Sequence, residues 1–203
     1  MKIGMMNNPS KSIYDEGVFC GKAGFDFLDL TIEGPSATSV DITKLRSILD
    51  VYGLSVVGHT DPCLPYAYPV QGIREACLTE LARCAGIFSA LGAHIMNIHP
   101  CYFCPPAMRN DLIAFHIEAL KPVVEMAASH GLTVVIENYK APFDRVSTFK
   151  KILEAIPGLQ LHQRLFPLPL QADSIFIPEV YHTLNKRPFS AFRYRSNSPP
   201  AIS

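Results

Sequence analysis

Short apolar runs alternate with amphipathic segments from the start of the chain to about residue 162. Each run is rich in aliphatic or β-branched residues, and a glycine follows each amphipathic segment before the next run begins. This alternation is typical of βα units, in which helices connect parallel strands. The pattern predicts six strands, at Lys2–Met6, Phe25–Ile32, Leu54–His59, His94–His99, Leu132–Glu137 and from Leu159 onward.

Three of the amphipathic segments have strong helical patterns. Asp41 is a suitable N-cap for a helix that contains Leu45 and Leu49, and Gly53 is suitable as its stop. Two further apolar stripes run from Ile73 to Phe88 and from Leu112 to Ala127 at helical spacing. The sequence thus predicts five βα units and a sixth strand, which amount to part of a (β/α)₈ barrel of about 250 residues.

The βα pattern stops after about residue 162. Residues 163–203 contain six of the 17 prolines and none of the 12 glycines. They hold five basic and two acidic residues, against 13 basic and 16 acidic residues in 1–162. We therefore predict a barrel portion, 1–162, and a Pro-rich irregular C-terminal tail, 163–203. The tail is either a natural extension or the product of a frameshift or mispredicted exon, and the second is favoured because an open sheet leaves an unpaired edge.

Three predicted strands end in a side chain that can bind a metal. His59, His99 and Glu137 are each the sixth residue of their strand, at intervals of 40 and 38 residues. The carboxyl ends of barrel strands meet at one rim, where barrel enzymes place their active sites. Imidazole and carboxylate groups are suitable ligands for divalent metals. We therefore expect these three residues to form a metal site.

The overall charge excludes some partners. Lys and Arg together number 18, as do Asp and Glu, so no net charge favours nucleic acid or an anionic membrane surface. The sequence shows no signal peptide and no run near the roughly 20 apolar residues that span a bilayer, so a cytoplasmic location is expected. The six cysteines are expected to be thiols, most of them in the core. Cys101 and Cys104 have the spacing of a zinc or redox pair, but a single pair indicates packing more strongly.

One stretch near Glu137 resembles a known family. The segment LKPVVEMAASHGLTVVIENYK is similar to the xylose isomerase-like (β/α)₈ barrel superfamily, and FDFLDLTIE and VVGHTDPCLPY resemble its early strands. The resemblance covers residues 1 to about 162 and implies a partial TIM barrel. The superfamily includes sugar isomerases, sugar epimerases and apurinic endonucleases, which hold divalent metals at this rim.

The resemblance also implies roles for particular residues. Glu137 would be a metal ligand and, with His99, a catalytic residue. His59 and His99 would be metal ligands, as in the endonuclease branch, or would surround the substrate. Asn138 and Lys140 would contact the substrate. From their positions in rim segments, Tyr66 and Glu33 are additional candidates for substrate binding.

The chain departs from the superfamily beyond the fifth unit. The next strand of the superfamily supplies an Asp and, three residues later, a His, whereas the corresponding positions here are Arg164 and Pro167. An arginine offers no lone pair and carries a permanent positive charge. A second Glu, from a later strand, has no counterpart. We therefore expect an incomplete ligand set for the divalent metal (Mn, Mg, Zn or Co), and the sequence leaves open whether the chain is an active enzyme.

The leading functional prediction is a sugar phosphate isomerase or epimerase-like protein that acts on a small sugar or sugar phosphate. The first alternative is a metal-dependent phosphodiesterase of the apurinic endonuclease type, which the two histidines favour and the acidic balance of residues 1–162 opposes. The second alternative is a non-catalytic barrel fragment that forms a homo-oligomer through its open sheet edge.

Overall fold

Six parallel strands alternate with five α-helices in the computed structural model, which describes residues 2–162 and 193–194. The strands are β1 (Ile3–Met6), β2 (Phe27–Ile32), β3 (Ser55–Thr60), β4 (Ile95–Ile98), β5 (Thr133–Glu137) and β6 (Gln160–His162). The helices are α1 (Ile13–Lys22), α2 (Ile42–Tyr52), α3 (Gln71–Ala90), α4 (Leu112–Ser129) and α5 (Val146–Ala155). All six predicted strands are present, and the bounds differ by one or two residues. None of the helices in the described part of the chain is long and apolar enough to cross a membrane.

The strands form a single parallel sheet in the order β6-β5-β4-β3-β2-β1, so each strand pairs with its neighbours in sequence. Their carboxyl ends therefore lie along one rim, from which the loops to the helices emerge. On its other side, β1 pairs in parallel with β7 (Arg193–Tyr194). Sequence analysis expected no strand in the C-terminal tail, so this two-residue strand is a departure from that expectation. The division of the chain at residue 162 stays a prediction, because most of the tail lies outside the described residues.

The ends of α2 show how local sequence sets the helix bounds. The Asp41 side chain accepts a hydrogen bond from the backbone N–H of Lys44 at 3.0 Å, as an N-cap does. Gly53 ends the helix at φ 64°, a left-handed conformation that costs glycine little because it has no Cβ. Both predicted ends of this helix are confirmed.

The two faces of the sheet differ in chemistry, as β2 illustrates. Leu28 and Leu30 belong to the hydrophobic cluster that the sheet forms with the helices. Asp29 and Thr31 alternate with them and are also buried. Because successive side chains of a strand point to opposite faces, polar residues collect on the face away from the helices. That inner face carries the candidate site.

Candidate metal centre at the carboxyl ends of the strands

Three buried side chains converge where β3, β4 and β5 end. His59 lies in β3, His99 follows β4 directly, and Glu137 ends β5. Nε2 of His59 is 2.6 Å from Nε2 of His99. Oε2 of Glu137 is 3.8 Å from Nε2 of His99 and 4.0 Å from Nε2 of His59. Counting along the predicted strands selected these three residues, and the structure brings their ligand atoms within 4.8 Å of one another.

The strands are staggered, contrary to the single register that the sequence suggested. His59 pairs with Asn97 rather than with His99, whereas β4 and β5 are aligned through Ile98 and Ile136. The offset is two residues. Side chains alternate between faces with a period of two, so an even offset leaves His59 and His99 on the same face of the sheet. The three candidate ligands therefore still converge, although the predicted single register was wrong.

Asp29 of β2, which sequence analysis did not select, holds the His59 ring. Its two carboxylate oxygens lie 3.2 and 3.3 Å from Nδ1 of His59. A carboxylate can only accept a hydrogen bond, so Nδ1 carries a proton, and in the neutral ring Nε2 has a lone pair that faces His99 and Glu137. The available signal was an ionisable residue between two leucines of a buried strand, which is rare without a partner.

Asn97 of β4 was also missed, and it orients the Glu137 carboxylate. Its Nδ2 donates to Oε2 of Glu137 at 3.0 Å and lies 3.3 Å from Nε2 of His59. Its amide oxygen is buried and has no hydrogen-bond partner among the described residues. The signal in the sequence was again a polar residue inside an apolar strand, IMNI.

Two tyrosines stand beside His99. The ring of Tyr139 contacts the His99 ring edge to face, with centroids 6.2 Å apart, and Tyr102 packs against Tyr139 at 5.3 Å. The Tyr102 hydroxyl donates to the carbonyl oxygen of Lys140 and accepts from the backbone N–H of the same residue. Sequence analysis selected neither tyrosine, because their proximity to His99 depends on how the two loops fold.

The remaining predicted substrate residues lie around this group in different settings. Asn138 is buried, and Lys140 is exposed with Nζ 5.5 Å from the centre of the Tyr139 ring. Glu33 is half-buried, and burial followed by the nearby Asp61 carboxylate raises the pKa of its carboxyl group. His59 lowers that pKa by a smaller amount. Arg164 and Pro167 lie outside the described residues.

Tyr66 and His116 are both buried and pack against each other. Tyr66, a predicted substrate contact, is 2% exposed and packs edge to face on His116 at 5.7 Å. Its role as a substrate contact stays a prediction. His116 is fully buried in α4. Burial lowers the pKa of His116 to about 4.

Four of the six cysteines are buried. All six are free thiols, and Cys101 is buried whereas Cys104 is half-buried. Burial raises the pKa of Cys101, which makes its thiol a poor nucleophile and a poor ligand. Neither member of this pair belongs to the metal-ligand group found among the described residues. The preference for packing over a zinc or redox role agrees with these positions.

The sequence profile of the xylose isomerase-like TIM barrel family matches residues 19–169, about three quarters of the chain. The chain belongs to this family. The family match and the parallel sheet confirm the partial TIM barrel that the sequence predicted. Comparison with curated protein sequences gives no match.

Solved structures of sugar epimerases have a similar fold. A D-tagatose 3-epimerase-like protein superposes with a TM-score of 0.72 at 19% identity, over 80% of this chain and 64% of its own. D-psicose 3-epimerase from Clostridium cellulolyticum H10 gives 0.69 at 14% identity, over 80% and 63%. D-allulose 3-epimerase from Methylomonas sp. gives 0.66 at 16% identity, over 80% and 62%. The present chain thus spans less than two thirds of the length of these structures.

The donor set of this xylose isomerase-like centre fits a divalent metal. Two imidazole nitrogens and a carboxylate oxygen are ligands that Zn²⁺, Mn²⁺ and Co²⁺ accept. In the neutral ring of His59, the Asp29 contact holds the proton on Nδ1 and leaves the Nε2 lone pair available, as metal binding requires. The buried amide oxygen of Asn97 is a further acceptor beside the group. His59, His99 and Glu137 could therefore hold a metal ion.

Proposed function

We propose that this chain forms the metal-holding part of a sugar isomerase or epimerase site. The observation that carries the proposal is the convergence of His59, His99 and Glu137 at the rim. The epimerase names of the structures with a similar fold support the reaction class. The proposed substrates are small sugars and sugar phosphates.

In this proposal the three residues hold a divalent metal. When bound, such an ion polarises a carbonyl group and stabilises the negative charge that develops on its oxygen during proton transfer. Asp29 fixes the tautomer of His59, and Asn97 holds one carboxylate oxygen of Glu137 at 3.0 Å. These two contacts orient the ligands before any ion arrives, and the Asp29 contact also raises the basicity of the His59 ring.

Glu137 and His99 are the groups that we propose hold or move the substrate proton. Both are buried at the rim, and Glu137 is the acceptor best placed to take a proton from a carbon next to a carbonyl group. His59 binds the metal and borders the substrate. Asn138, Lys140 and Glu33 lie just after the carboxyl ends of β5 and β2 and would contact sugar hydroxyl groups, with the Lys140 ammonium also able to bind a phosphate.

The first experiment measures metal binding. Titration of the metal-free chain with Mn²⁺ and Co²⁺ by calorimetry is expected to show one site. Glu137→Gln, which removes the charged ligand but keeps the shape, is expected to weaken binding by about 100-fold or more. Glu154→Gln is the matched control, because this glutamate of α5 is 61% exposed and is not one of the candidate metal ligands. Absence of binding in the natural sequence, or equal binding in both variants, would contradict the proposal.

The second experiment measures chemistry. The metal-loaded chain is incubated in D₂O with D-fructose, D-tagatose and D-allulose, and deuterium on the carbon next to the carbonyl group is measured by NMR. Incorporation that Glu137→Gln abolishes would support proton transfer by this residue. A chain that binds metal without incorporating deuterium would be the incomplete site that the departure at Arg164 predicts.

One observation favours a second function. The contact between the His59 and His99 imidazoles favours a metal-dependent phosphodiesterase of the apurinic endonuclease type. The excess of three acidic residues in 1–162, 16 against 13 basic residues, opposes it, because phosphate backbone binding needs a basic surface. Cleavage of duplex DNA that contains one abasic site, dependent on metal and on Glu137, would favour this function.

The non-catalytic alternative has a separate test. A fragment that pairs through the edge of its sheet would elute from size exclusion as an oligomer and contain no metal. A monomer that contains one divalent ion would instead support the isomerase or epimerase proposal.

A further inference from the structure

His116 is a fully buried histidine in α4 that the proposed chemistry does not use. Its Nδ1 lies 2.7 Å from the carbonyl oxygen of Leu112, and its Nε2 accepts the backbone N–H of Cys101 at 2.9 Å. Because Nε2 accepts, the proton of the neutral ring is on Nδ1, which donates to Leu112. Both nitrogens are therefore used, and the ring is held in one orientation.

The ring contacts all three rim loops that follow the candidate ligands. We define these as the β3 loop (61–70), the β4 loop (100–111) and the β5 loop (138–145). His116 binds Cys101 of the β4 loop. Its ring packs edge to face on Tyr66 of the β3 loop at 5.7 Å and lies 4.4 Å from the Phe143 ring of the β5 loop.

The contacts in the β4 and β5 loops lie close to His99. Cys101 is two residues after His99. In the β5 loop, the carbonyl oxygen of Phe143 accepts the N–H of Tyr139, whose ring contacts the His99 ring. The Tyr102 hydroxyl links the β4 and β5 loops through its two bonds to the Lys140 backbone. The β4 and β5 loops are thus joined directly, and His116 contacts both of them and the β3 loop.

We infer that His116 is a positioning residue that ties the three rim loops together and so fixes the spacing of His59, His99 and Glu137. Its effect on metal binding rests on the proposed function, whereas the tie between the loops rests on the contacts alone. A neutral imidazole suits this role because it combines a donor, an acceptor and a flat apolar ring. No single amide or phenyl group supplies all three.

Hydrogen exchange of the full chain tests the tie between the loops. His116→Leu removes both hydrogen bonds and the ring contacts. We expect amides in all three loops to exchange about tenfold faster or more, since each loop loses a contact that opposes local opening. Leu49→Ala is the matched control, because it removes a buried side chain from α2, a helix that packs against α1. That control is expected to leave the relative protection of the three loops unchanged.

A matched pair of milder variants separates the two kinds of contact. His116→Phe keeps a ring between Tyr66 and Phe143 but leaves the Cys101 N–H without its acceptor, so faster exchange is expected mainly in the β4 loop. His116→Gln keeps an oxygen that can accept that N–H but removes the ring, so faster exchange is expected in the β3 and β5 loops. This pair also gives the answer if His116→Leu does not fold.

The inference is overturned if both milder variants loosen the β4 loop alone, or if their exchange resembles that of Leu49→Ala. Co²⁺ titration of the same proteins supplies the second measurement, and about tenfold weaker binding with an altered visible spectrum is expected for His116→Leu. If the natural sequence binds no Co²⁺, the proposed function fails, while the exchange data still decide the role of His116.

Discussion

At the scale of single residues, the centre is defined by polar side chains that the sheet buries and then pairs with one another. Asp29 contacts His59, and Asn97 contacts both Glu137 and His59, and none of these contacts is visible in a linear pattern. Burial makes such pairs costly to disrupt, because a polar group left alone in the interior loses its water without gaining a partner. Substitutions at these positions therefore report on the site directly.

Asp29→Asn is expected to weaken divalent metal binding by about 10- to 100-fold, as loss of a supporting carboxylate does at other histidine ligands. The amide is close in shape, but it no longer draws the Nδ1 proton of His59 with a negative charge. Calorimetric titration with Zn²⁺ measures the effect. Asp50→Asn, an exposed aspartate at the end of α2, serves as the control. Unchanged affinity in Asp29→Asn would show that this carboxylate does not support the ligand.

The buried His116 predicts a pH dependence of stability. Its folded-state pKa is about 4, below the ordinary 6.5, so only the unfolded chain takes up the proton between these values. Stability should therefore fall as the pH falls from about 6.5 to about 4, by on the order of 3 kcal/mol. The neighbouring titratable groups, Tyr66 and Cys101, have raised pKa values and stay neutral throughout this range.

Urea unfolding of the metal-free chain and of His116→Phe, at pH 7 and pH 4.5, measures this dependence. All other ionisable groups are the same in the two proteins, so their contributions cancel in the difference between them. The stability advantage of the natural sequence over His116→Phe should shrink at the lower pH. A difference that stays constant with pH would rule out a neutral buried imidazole at this position.

At the scale of elements, the packing of α3 on β3 sets the position of His59. A Cβ at Gly58 would lie 2.4 Å from Cδ2 of Phe88, which is fully buried in α3. The helix approaches the strand at this point because glycine has no side chain. His59 follows directly, so the close approach also fixes the height of this ligand in the sheet.

Gly58→Ala is expected to destabilise the fold by about 1–3 kcal/mol, because the added methyl group must displace the Phe88 ring in a filled core. Gly72→Ala in the first turn of the same helix is the control, since a Cβ there meets nothing within 4 Å. That control should be neutral or should stabilise the helix by up to about 1 kcal/mol. Urea midpoints of the two variants measure the difference, and equal midpoints would contradict the close packing.

At the scale of the whole molecule, metal binding and folding are coupled. The candidate ligands come from three strands, so the site exists only when β3, β4 and β5 are assembled. A ligand that binds the folded chain alone stabilises it by mass action. Metal should therefore raise the stability of the sheet as a unit rather than that of one loop.

Mn²⁺ at 100 times its dissociation constant is expected to raise the free energy of unfolding by about 2.7 kcal/mol. Glu137→Gln should lose most of this gain, and Glu154→Gln should keep it. Urea denaturation with and without chelator measures both. A gain of equal size in all three proteins would indicate binding elsewhere on the chain.

The sequence by itself determined the order and type of the elements. Apolar runs of strand length, the Asp41 cap and the glycine after each helix act over a few residues, so a linear pattern records them. The three candidate ligands were found in the same way, because the strands of βα units end at a common rim and each unit contributes one end.

Tertiary structure alone decided the contacts that depend on the pairing of distant segments. These are the two-residue stagger of β3 against β4, the bonds of Asp29 and Asn97, the burial of His116 and the pairing of β7 with β1. Nothing near His116 in sequence distinguishes a surface histidine from one that three loops enclose. The difference arises when the sheet aligns those loops above α4, because burial and hydrogen bonding are set by neighbours in space and not along the chain.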